Sequence, residues 1–231
     1  MKFRTIALAA AFGLAFTAAQ AADVEGTTSG NWVNPVPGTA TVTGVGTPVF
    51  TWGDSTGFGT PPNQLSFAGG AFASAFETKF KVGTISYFNG TTAIGSTADS
   101  VDLALTLDFT SPALGGIVSN YGFSLITTPN TGTEDENADF VALPSLFSST
   151  SFFIGSTEYR VKLTGFENVV GDGFLVSSAT EFHVREGGTA SADLYAVVTT
   201  APAVPEPETY ALMLAGLGVV GFMARRRRRQ A

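Results

Sequence analysis

The sequence predicts an all-β protein whose body is a single antiparallel β-sandwich, jelly-roll-like in kind. Three observations carry that expectation. Val101, Leu103, Leu105, Leu107 and Phe109 share one parity, and Asp102, Thr106 and Asp108 share the other. A period of two belongs to a strand with one buried and one wet face. Asn89-Gly90, between Ile85–Phe88 and Thr91–Ile94, reads as a two-residue hairpin turn. About ten strand-like stretches follow one another with Gly- and Pro-rich turns and no long amphipathic helix, which favours a sandwich, with a closed barrel as the alternative.

Taken in order, the 231-residue chain begins with Lys2 and Arg4, an apolar run from Ile6 and the tripeptide Ala19-Gln20-Ala21. That is the layout of a secretory signal peptide over residues 1–21, with cleavage expected after Ala21. Strands are then expected at Val49–Trp52, Gln64–Phe67, Thr84–Phe88, Val101–Phe109, Tyr121–Leu125, Tyr159–Leu163, Glu181–Arg185 and Leu194–Val198, from alternation or from β-branched and aromatic content. Ala68–Ala75 is expected to be loop because of Gly69 and Gly70. The sandwich is assigned to residues 22–199 and a proline-rich, extended linker to residues 200–209.

Charge narrows the function classes. Between Ala22 and Pro205 stand five basic residues against seventeen acidic ones, a net charge near −12. Such a body repels nucleic acid and anionic membrane, so no nucleic-acid partner is expected. The chain has no cysteine, which removes disulfides and thiol nucleophiles from consideration.

The tail is the most specific segment. Residues 210–224, Tyr210 to Ala224, carry no charge and as a helix would measure roughly 22 Å, short for an apolar slab of about 30 Å. Residues 225–231 hold Arg225, Arg226, Arg227, Arg228 and Arg229, which the positive-inside rule keeps on the cytoplasmic side. Such a short span with a cationic stop suits a transient hold. Preceded by Pro205, Glu206 and Pro207, this arrangement resembles the PEP-CTERM sorting signal of Gram-negative bacteria. The resemblance implies recognition of the Pro-Glu-Pro motif by an exosortase, a membrane-embedded processing enzyme. A second resemblance covers the body: Gly30-Asn-Trp32, Phe50-Thr-Trp-Gly53, Leu65-Ser-Phe67, Phe80–Gly90, Thr128-Pro-Asn130 and Ala138–Val141. Their order is similar to the choice-of-anchor β-domains, most of all to type K. It implies a surface role and supplies no catalytic residue.

Other chemistry has weaker support. His183 is the only histidine, its alternation with Phe182 and Val184 places it on a wet face, and no G-x-S-x-G elbow exists to supply a partner. Glu134, Asp135 and Asp139 stand in an acidic loop whose hard oxygens could hold calcium, although the spacing is not that of an EF-hand. Trp32 and Trp52 are either core residues or platforms for sugar stacking. No cofactor is expected apart from that calcium. The sequence therefore predicts a non-enzymatic, exosortase-processed protein, held transiently in the inner membrane and then retained at the surface or in exopolysaccharide. The alternatives are a carbohydrate- or calcium-binding module or, third, a secreted glycan hydrolase.

Overall fold

A computed structural model describes residues 23–37, 39–143, 145–171 and 178–200, and the described chain contains strands and no helix. In order these are β1 (Val24–Val36), β2 (Val42–Thr43), β3 (Val49–Trp52), β4 (Asn63–Ala68), β5 (Ala71–Ser74), β6 (Lys79–Phe88) and β7 (Ser100–Ser111). Then follow β8 (Gly115–Ile126), β9 (Asp139–Ala142), β10 (Phe147–Ile154), β11 (Thr157–Gly171), β12 (Glu181–Val184) and β13 (Thr189–Thr200). They form a six-stranded sheet, β12-β9-β8-β7-β1-β5, and a seven-stranded sheet, β10-β11-β13-β6-β4-β3-β2. Every pairing between these strands is antiparallel. The two curled sheets face each other as a sandwich.

The parity expected of β7 is the parity found: Val101, Leu103, Leu105, Leu107 and Phe109 are buried and Asp108 is exposed. Between the sheets lie two runs of aromatic rings. One links Trp32 edge-on to Phe123 (centroids 5.2 Å), then Phe166 and Phe182, and through Tyr87 reaches the stacked Trp52 and Phe50. The other joins Phe80, Phe72, Phe109, Phe152, Tyr159 and Phe76. Such ring pairs add about 0.5–1.5 kcal/mol each beyond their buried area.

Two local expectations are corrected. Asn89-Gly90 does not close a hairpin, and no strand forms over residues 91–94. A type I′ turn needs positive φ at both central residues, and neither Asn89 nor Gly90 adopts it. Instead Asn89 exchanges backbone hydrogen bonds with Gly187 and Gly188, and its Nδ2 donates to the Val184 carbonyl (2.9 Å). Gly90 serves close approach: a Cβ there would stand 2.1 Å from the Pro61 carbonyl oxygen. The second correction is Ala71–Ser74, expected as loop, which pairs with Val24–Thr27 as β5. Phe72 and Ser74 point inward there, so a single aromatic on a small-residue segment suffices to seat an edge strand.

Register gives the sandwich two poles. At one, Glu25 stands opposite Ser111 and Lys79 opposite Val197; at the other, Val36 stands opposite Ser100 and Phe88 opposite Thr189.

Candidate functional site

The chain enters and leaves the described sandwich at the same pole. The Asp23 amide donates to the Ser74 carbonyl (2.9 Å), and Asp23 Oδ2 accepts from the Phe76 amide (2.9 Å). One residue further, the Glu77 amide donates to Val198, and Glu77 Oε1 accepts from the amide of Thr200 (3.0 Å). Glu77 takes a positive φ of 57° to turn between these partners. The segment from Ser74 to Thr78 therefore clips the start of β1 to the end of β13.

At the opposite pole, three connections converge on a cleft of about 240 Å³: residues 90–97 after β6, Thr127–Asn130 after β8, and Glu186 in the turn between β12 and β13. Asp139, the first residue of β9, also lines it and is 3 % exposed. Its Oδ1 accepts from the Thr128 amide (2.7 Å) and from Thr128 Oγ1 (3.2 Å). Oδ2 meets no hydrogen-bond donor among the described residues. Glu186 Oε1 accepts from Thr91 Oγ1. None of the ion pairs among the described residues includes Asp139 or Glu186. Burial pushes the Asp139 carboxyl up to about 6, with the Thr128 hydrogen bonds opposing the rise and the charge of Glu186 adding to it. Burial, then Asp139 and Glu186, holds the Tyr87 hydroxyl well above its ordinary value. The cleft is thus a small acidic recess, lined by several threonines and, among the described residues, by no cationic side chain.

A family model described as the PEP-CTERM protein-sorting motif matches residues 203–229. The chain carries a PEP-CTERM sorting motif. The matched stretch takes in Pro205, Glu206, Pro207, the uncharged run of residues 210–224 and all of Arg225 to Arg229. A PEP-CTERM motif marks an exported protein for transient membrane anchoring and processing by an exosortase, a membrane enzyme. No curated protein matches the chain. The motif lies outside the described residues, and so does the signal peptide assigned to residues 1–21. Among the described residues no helix is long and apolar enough to cross a membrane.

The other sequence candidates are scattered around the sandwich. Glu134, Asp135 and Asp139 do not converge: Asp135 Oδ1 accepts from Arg185 Nη2 (2.9 Å), while Asp139 is sequestered by Thr128. Among the described residues no group of three or more His, Asp or Glu side chains is gathered as a metal site. Trp32 and Trp52 are 0 % and 1 % exposed, so in this structure neither ring offers a face to a sugar. Trp32 Nε1 donates to the Pro48 carbonyl (3.2 Å). His183 is half-buried on the outer face, with Nε2 3.2 Å from Glu181 Oε2 and its ring stacked on Phe140 at 4.3 Å. The sequence singled out Asp139 only as a calcium ligand, and it did not point to Glu186, Thr91, Thr92 or Thr97. No periodicity marks them, because they come together only when three connections fold onto one pole.

Proposed function

We infer that this is an exported, exosortase-processed protein of the Gram-negative envelope or exopolysaccharide, with a non-enzymatic structural or adhesive role. The observation that carries the reading is the sorting motif at residues 203–229. The body is read as a choice-of-anchor domain, most like type K, on the residue order given above. Its acidity suits release, since a net charge near −12 between Ala22 and Pro205 is repelled by an anionic bilayer once the tail is gone. The clip at Ser74–Thr78 suits anchoring, because it directs the exit to the linker at one defined pole. The inner membrane is a temporary partner and the exosortase a catalytic one.

Mass spectrometry of the mature protein from a host with an active exosortase tests the reading. A C-terminus upstream of residue 210 is expected. A mature chain still bearing Arg229 would overturn it. A carbohydrate-binding role is the second reading, and the acidic cleft is the observation that favours it.

A further inference from the structure

We propose that the cleft opposite the chain exit is a binding site for one amino-sugar unit of a polysaccharide, with its ammonium group between Asp139 and Glu186. This deepens the exopolysaccharide reading and takes its biological setting from it. The cleft stands on geometry. Asp139, a residue 3 % exposed, has Oδ1 held by Thr128 and lines a recess whose other acid is Glu186. Two carboxylates lining one recess repel each other and are stabilised by a ligand that brings a positive charge.

Size and wall chemistry choose among cations. A volume of about 240 Å³ corresponds to roughly eight waters at about 30 Å³ each, the scale of one small ring and not of a bare ion. A bare calcium ion, with ligand oxygens at about 2.3–2.6 Å, would leave most of that space unused. A lysine-like stem would fill it but would waste the hydroxyls of Thr92, Thr97 and Thr127 and the amide of Asn130, which line the same recess. A sugar uses both wall types: its hydroxyls meet these polar groups and its C–H faces meet Ala93 and Pro129. N-acetylation would remove the charge and add bulk, so the free amine is the form selected.

The test uses the full chain in mild detergent near neutral pH, followed by ligand-observed NMR. The probes are D-glucosamine, D-glucose, N-acetyl-D-glucosamine, n-butylamine and calcium chloride. Glucosamine is expected to bind with a Kd on the order of 1 mM, a normal strength for so small a ligand, and each other probe at least about tenfold more weakly. Glu186→Gln and Asp139→Asn should each weaken glucosamine binding at least about tenfold. Glu186→Gln keeps an acceptor for Thr91, so it decides the matter if Asp139→Asn fails to fold. Equal binding of glucose, equal binding of butylamine, preference for calcium, or no glucosamine binding by the wild-type chain would each overturn the proposal. These failures are separate from failure of the sorting reading, which the mature C-terminus alone decides.

Discussion

Asp139 shows how a single residue couples the cleft to the stability of the sandwich. Burial pushes its folded carboxyl up from an ordinary value of 3.8 to about 6. Between those values the folded chain holds more protons than the unfolded chain, so stability falls as pH rises from about 4 to about 6 and the deficit persists above. A shift of about two units corresponds to about 3 kcal/mol at most. Asp139→Asn keeps an oxygen for the Thr128 amide and removes the charge. Urea denaturation at several pH values is expected to show the variant gaining on the wild type across that window, with a constant difference above it. A constant difference from pH 4 to 7 would mean that Asp139 titrates normally. Thr28 illustrates the opposite case, a buried polar group that is fully used. Its Oγ1 donates to the Val82 carbonyl and accepts from the Gly70 amide (2.9 Å), tying β1 to β6 across the sandwich. Thr28→Val keeps the shape and strands both partners, and should cost about 1–3 kcal/mol in the same denaturation assay.

At the scale of the element, what the sequence revealed depended on which force fixes each strand. β7 was legible because its inward face is apolar at every other position and nothing competes with that signal. β1 carries the same alternation of buried and exposed residues over Val24–Trp32, yet its inward residues are Val24, Gly26, Thr28, Gly30 and Trp32. Glycine at position 30 leaves room for a partner's side chain: a Cβ would stand 2.7 Å from the Phe67 ring and 2.9 Å from Leu103. The volume that marks a core strand is thus supplied by Phe67 of the opposite sheet and Leu103 of the neighbouring strand, which a single-strand pattern cannot record. Asn89-Gly90 misled for a related reason, since its partners are the Gly187 and Gly188 backbone, almost a hundred residues away in sequence. The cleft was the least legible part, being made of connections whose meeting depends on the register of both sheets. The aromatic core invites a direct check. Phe123 is fully buried and packs against Trp32 and Phe166, so Phe123→Ala should lower unfolding free energy by about 3–5 kcal/mol.

For the whole molecule, the sorting tail and the poles together set an orientation. The tail follows Thr200, whose amide is held at the Ser74–Thr78 clip, whereas the cleft lies at the far ends of β6, β7 and β8. β7 has 12 residues, so the poles are about 40 Å apart at roughly 3.3 Å per residue. While the tail is held in the membrane, the exit pole should face lipid and the cleft should face outward, where a polysaccharide can reach it. The absence of cysteine makes this measurable with single introduced thiols. Thr78→Cys marks the exit pole, where the side chain is exposed, and Ile94→Cys marks the fully exposed tip of the cleft loop. With a fluorophore on each, and the full chain in liposomes containing an acceptor-labelled lipid, energy transfer should be stronger from position 78 than from position 94. Removal of the tail by an active exosortase should abolish transfer from both. Equal transfer before cleavage would mean that the sandwich lies on its side against the bilayer, and the cleft would then have no privileged view of the matrix. The acidic body argues for the upright arrangement, because lying flat would press its carboxylates against anionic headgroups within a Debye length of about 8 Å.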